Sequence, residues 1–168
     1  PQGEPLPEEK KRRLRSGGEG AGGAANAAAA GGGASADDLQ SAAPGGVSAV
    51  LRELAQQTRS GGSKPAEQAG AAVAALRAHA GEAKVQEKGL GLLRNLACSD
   101  EGKAAVLASD GAIGAALAAL RAHAGEAEVQ EQGLVMLHNL ACSDKGKAAV
   151  LASDGAIGAA LAALRAHA

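Results

Sequence analysis

With 168 residues and no Phe, Tyr or Trp, the chain is long enough for one domain. It must build its core from Leu, Val, Ile and Ala, which bury less apolar surface per residue than aromatic rings do. A formal net charge of -1 supplies no overall basic field, and nothing is present to stack on bases, so nucleic acid is excluded as an expected partner. No apolar run reaches the ~18 residues of a membrane-spanning helix, and no membrane partner is expected.

Residues 1–44 are expected to form a disordered, low-complexity tail. Pro, Gly, Ser and Ala dominate, and Leu6, Leu14 and Leu39 are the only large apolar side chains, too few to offset conformational entropy. Within this tail Lys10, Lys11, Arg12 and Arg13 resemble a short nuclear localisation signal. Glu8 and Glu9 beside them suit a solvated charge run equally well. The expected location is therefore the cytoplasm, with the nucleus as the alternative.

Residues 45–64 are read as one helix and a linker. Val47, Val50, Leu51 and Leu54 follow the i, i+3, i+4, i+7 rule of an amphipathic helix, and the Ser/Gly run at 60–63 ends it. A second helix is predicted over 65–79, with Pro65 in its first turn and Gly81 as its stop.

From residue 80 the chain repeats itself. Residues 80–124 match 124–168 at a shift of 44, and only six pairs differ: Lys84/Glu128, Lys88/Gln132, Gly91/Val135, Leu92/Met136, Arg94/His138 and Glu101/Lys145. Each unit reads as three helices. Asp100 is the predicted N-cap of a short helix carrying Val106 and Leu107. Asp110-Gly111 breaks it. Ile113, Leu117 and Leu120 mark a second helix, closed by Gly125. A third runs over 126–141, with Val129, Met136, Leu137 and Leu140 on its buried face. Gly133 lies in the middle of that face, where a mid-helix Gly costs about 1 kcal/mol relative to Ala, and a close helix crossing is its expected reason. A purely helical unit of this length, repeated, predicts an α-solenoid.

The segment from about residue 66 onward resembles the armadillo repeat. That family's pattern is a Gly-Gly-Ile turn, a Leu-rich second helix, a Val-Gln-Glu start to the third helix and an Asn-Leu-Ala end. Gly111-Ala112-Ile113, Val85-Gln86-Glu87, Val129-Gln130-Glu131, Asn95-Leu96-Ala97 and Asn139-Leu140-Ala141 match it, and Gly45-Gly46-Val47 loosely resembles the turn. Gly114 stands where the family often has Pro, and Gly89 and Gly133 where it favours Ala. The resemblance implies an all-α, right-handed armadillo-type solenoid of about 2–3 repeats over 65–168, with 45–64 as a cap or degenerate repeat. HEAT repeats are the structural alternative.

At 100° per residue, Lys84, Lys88, Gly91 and Asn95 form one stripe of the third helix, flanked by Arg94. Val85, Gly89, Leu93 and Leu96 form the core stripe, with Leu92 between the two. The equivalents on the next copy are Glu128, Gln132, Val135, Asn139 and His138. The resemblance implies that this stripe lines a concave groove in which Asn95 and Asn139 bond the backbone of an extended peptide. The two copies thus keep their core and turns and vary mainly on the expected ligand side. Selection for a partner and drift on an exposed face both account for that. Lys84, Lys88 and Arg94 beside Gly91 predict a basic patch suited to an acidic protein segment. The Trp that the family uses for basic peptides is replaced by Gly91 and Val135, which argues against nuclear-import cargo.

No enzymatic chemistry is expected, and no cofactor or metal. His79, His123 and His167 recur one repeat apart, roughly 8–10 Å in packed helices, too far to share a zinc ion. They read as last-turn residues favoured by the helix dipole. His138 and Cys142 lie at i and i+4, but the sister copy has Arg94 in place of the His. Cys98 and Cys142 are expected to be free and at least half-buried.

The expected function is a non-catalytic scaffold or adaptor. The alternatives are a regulatory segment of a larger signalling enzyme such as a kinase, or a spacer without a groove ligand. The last copy stops after its second helix, so Ile157, Leu161 and Leu164 are expected to lack cover, with self-association at that end.

Overall fold

In the computed structural model, residues 36–60 and 64–166 are described, and their regular elements are all α-helices. The basic cluster at 10–13 and His167 lie outside the described residues. In chain order the helices are α1 (Ala36–Ser41), α2 (Pro44–Arg59), α3 (Pro65–Ala78), α4 (Ala83–Leu96), α5 (Asp100–Ala108), α6 (Ala112–Ala122), α7 (Ala127–Ala141), α8 (Asp144–Ala152) and α9 (Ala156–Ala166).

Local chemistry explains where they begin and end. Pro44 and Pro65 open α2 and α3 at positions where a missing N–H costs nothing. The N-caps of α5 and α8 are Ser99 and Ser143, whose hydroxyls accept from the N–H groups of Gly102 and Gly146 at 3.1 and 3.2 Å. The cap therefore sits one residue before the predicted Asp100. Asp100 occupies the first turn instead, where its charge suits the helix dipole. A Cβ on Gly102 would overlap the Leu96 carbonyl oxygen, and one on Gly146 the Leu140 carbonyl oxygen. The α7-to-α8 turn thus repeats the α4-to-α5 turn.

The predicted break at Asp110-Gly111 is an 83° elbow between α5 and α6. Gly111 turns it with φ 68°, and Gly155 does the same with φ 80°. Each elbow is held from the preceding layer, because Arg77 donates to the Asp110 carbonyl and Arg121 to the Asp154 carbonyl, both at 2.9 Å. Gly81 and Gly125 are not the helix stops that were expected. The C-caps are His79 and His123, whose N–H groups still bond Ala75 and Ala119. Their rings do more than sit at a dipole: His79 Nε2 lies 2.9 Å from the Leu39 carbonyl oxygen, and His123 Nε2 lies 2.7 Å from that of Ala80. Each ring clips its helix to backbone earlier in the chain.

Like packs on like. α2 packs on α4, and α4 on α7; α1 packs on α3, α3 on α6, and α6 on α9; α5 packs on α8. Gly133 makes the expected close crossing, and Gly89 makes the same one a copy earlier. A Cβ on Gly89 would come within 2.8 Å of the Leu76 side chain, and one on Gly133 within 2.7 Å of the Leu120 side chain. Leu92 and Met136, placed between stripes by the helical wheel, are fully buried, as is Leu90. The buried arc is wider because α4 is enclosed by α2, α3 and α7. Gln86 and Gln130 are buried too, each donating from Nε2 to two carbonyl oxygens of the preceding helix end: Leu76 and His79 in one copy, Leu120 and His123 in the other. The loop between the second and third helices is thereby tied down without leaving a polar atom unsatisfied.

Two boundaries differ from expectation. Helix α1 lies inside the segment read as tail up to Pro44, and its Leu39 is 1% exposed beneath α3. One well-placed leucine suffices when a neighbouring helix supplies the rest of the apolar surface. Cys98 and Cys142 are free as expected but exposed, not half-buried, since both fall in the turn after the third helix.

Candidate functional site

The third-helix face is formed by α2, α4 and α7 side by side. A shallow depression of about 260 Å³ crosses it. On α4 it is lined by Glu87, Lys88, Gly91, Arg94 and Asn95, on α7 by Gln132, and on α2 by Arg52, Ala55, Gln56 and Arg59. Of the stripe predicted on the first copy, Lys88, Gly91, Arg94 and Asn95 are thus brought together, and Lys84 lies outside. Of the second copy only Gln132 joins them; Glu128, Val135, His138 and Asn139 do not.

The electrostatics are organised by one carboxylate. Glu87 pairs with Lys84 at 2.9 Å and also with Lys88. Partial burial pushes its carboxyl up, but the hydrogen bonds and charges of Lys88 and Lys84 outweigh that and hold it below its ordinary value. Lys84, fully exposed, is raised in turn by its bond to Glu87, with Glu128 and Glu126 of the next copy adding to the effect. The expected basic patch is therefore partly spent at Lys84 and Lys88. Of the cations that line the depression, Arg52, Arg59 and Arg94 carry no salt bridge.

The two asparagines diverge. Asn95 is half-buried at the edge of the depression and accepts from Arg94 Nη2 at 3.4 Å. Asn139 donates from Nδ2 to the Arg94 carbonyl at 3.4 Å and towards Cys98 Sγ at 3.6 Å. Its amide hydrogens tie α7 to the end of α4, which leaves less for a peptide backbone. Val135 stands 36% exposed, and His138 lies on the outside of α7, its Nε2 4.0 Å from Cys142 Sγ. Among the described residues no group of His, Cys, Asp or Glu is arranged to hold a metal ion.

Arg52, Ala55, Gln56 and Arg59 escaped the sequence reading. Their spacing at i, i+3, i+4 and i+7 marks the polar side of the predicted amphipathic helix, but nothing in that pattern says which helix lies alongside. Comparison with models of known protein families, with curated proteins and with solved structures finds no match.

Proposed function

We propose that the described region is an armadillo-type solenoid that acts as a non-catalytic scaffold or adaptor, and that α2, α4 and α7 hold an extended, acidic segment of a partner protein. The observation that carries this reading is the row of Arg52, Arg59 and Arg94 along one shallow depression shared by three side-by-side helices. The chain as a whole is close to neutral, with a net charge of -1, so this concentration of unpaired guanidinium is local. Guanidinium groups recognise carboxylates through paired N–H donors, and a positive face speeds encounter with an acidic partner. An open, shallow surface suits an extended segment better than a small molecule, whose sites are enclosed and mostly apolar.

The test is affinity capture from a cell lysate with the native chain and with Arg59→Ala/Arg94→Ala/Asn95→Ala, after circular dichroism shows equal helix content. Partners retained by the native chain and lost by the variant, with retention falling as salt rises, are the expected result. Equal retention by both proteins removes the third-helix face from consideration.

A further inference from the structure

Resting on the reading of α2, α4 and α7 as a partner-binding face, we propose that its depression receives one phosphorylated side chain of the bound segment. The argument begins with charge. Four cations line the depression, and Glu87 is the one carboxylate among its lining residues. That carboxylate is already engaged by Lys84 and Lys88, so Arg52, Arg59 and Arg94 are left uncompensated. Glu53, next to Arg52 in sequence, is exposed and pairs with none of them. A glutamate side chain brings one negative charge and two acceptor oxygens to three guanidinium forks. A phosphate ester brings between ~1.5 and ~2 charges and three acceptor oxygens, which matches the donor inventory more closely.

Shape gives the second argument. The lining of the depression includes two small residues, Ala55 and Gly91. A Cβ on Gly91 would meet nothing nearer than Gln132 Oε1 at 3.4 Å, an ordinary contact. A single methyl group thus fits over Gly91 against Gln132, and a larger side chain there would crowd the depression that both residues line. The neighbouring copy closes the same place with Val135 and replaces Lys88 and Arg94 by Gln132 and His138. One copy thus carries the site, and the substitutions that distinguish the copies remove it from the other. Helix α2, which has no counterpart in the 44-residue duplication, supplies the other two arginines.

Fluorescence anisotropy at low ionic strength separates the cases. The probes are three fluorescein-labelled peptides of one short Ala/Gly/Glu sequence with phosphoserine, glutamate or serine at the centre. The full chain is expected to bind the phosphoserine form roughly ten-fold more tightly than the serine form, with glutamate between them. Gly91→Val, Arg59→Ala and Arg94→Ala are expected to abolish that preference at unchanged helix content. Arg94→Lys, which keeps the charge and loses the fork, is expected to reduce it. Lys147→Ala, away from this face on α8, is the control and leaves it intact. Equal binding of all three peptides overturns the phosphate site while leaving the acidic-segment reading standing. A phosphoserine preference that survives Gly91→Val and Arg94→Ala overturns the location. No binding of any peptide overturns both readings together.

Discussion

Helices α6 and α9 have the same sequence, AIGAALAALRA, and their surroundings differ. In α6, Leu117 is 3% exposed; its twin Leu161 in α9 is 47% exposed. Ile113 is half-buried and packed against the core, whereas Ile157 is 63% exposed. Leu107 and Leu151 on α5 and α8 show the same contrast. The apolar pattern of a helix thus states what it is able to bury, and the neighbour decides what is buried. Here burial depends on the helix packed alongside more than on the helix's own sequence.

Paired substitutions sharpen that comparison. Leu117→Ala is expected to cost about 2–4 kcal/mol by urea denaturation, and Leu161→Ala less than about 1 kcal/mol; equal losses would mean that α9 is covered in solution. Gly102→Ala and Gly146→Ala come next. Each forces a methyl group onto a backbone carbonyl, and about 2–3 kcal/mol is expected at Gly102. The effect at Gly146 should be smaller, because it reports only the docking of α8 and α9, and the midpoint of a thermal melt will rank the two. Gln86→Leu leaves the Leu76 and His79 carbonyls without their side-chain donor, for an expected loss of about 1–3 kcal/mol. Gln130→Leu tests whether the same lock works one layer on.

The smallest expected effect concerns pH. The folded-state pKa of Glu87 lies below its ordinary 4.5, so its ion pairs stabilise the fold at neutral pH. That contribution is lost as pH falls through the depressed value. Urea titrations between neutral pH and pH ~3 should show an acid loss of about 0.5–1 kcal/mol in the native chain that is absent from Glu87→Gln. An unchanged acid profile in that variant would assign the loss to other carboxylates.

The helical class, the elbow at Gly111 and the close crossing at Gly133 were all legible in the sequence, because each rests on a local rule of periodicity or sterics. The errors share a different origin. Ser99 and Asp100 are adjacent and both cap well, so composition does not choose between them; the Leu96 carbonyl and the Gly102 N–H do. Leu92 fell between the two stripes on the wheel, and it is buried because α2, α3, α5 and α7 all pack against α4. Lys88, Gly91, Arg94 and Asn95 of the depression came from the predicted face of α4 and Gln132 from that of α7. Arg52, Ala55, Gln56 and Arg59 came from α2, whose position beside α4 is a long-range contact that no local spacing encodes. The exposed Cys98 and Cys142, expected to be at least half-buried, followed a turn and not a helix face.

The arginine clips bear on how the chain finds its structure. Arg77 reaches the Asp110 carbonyl and Arg121 that of Asp154, in both cases 33 residues ahead. Because the duplicated copies are identical at these places, Arg77 would meet the same chemical group at Asp154 that it meets at Asp110. Skipping one copy roughly doubles the loop to be closed, which disfavours the wrong partner by only about 0.7 kcal/mol. Near-perfect duplication therefore trades folding fidelity for ease of construction. The intended register wins chiefly because nearby contacts form first, and a refolding chain should pass through short-lived states in which one layer has been skipped.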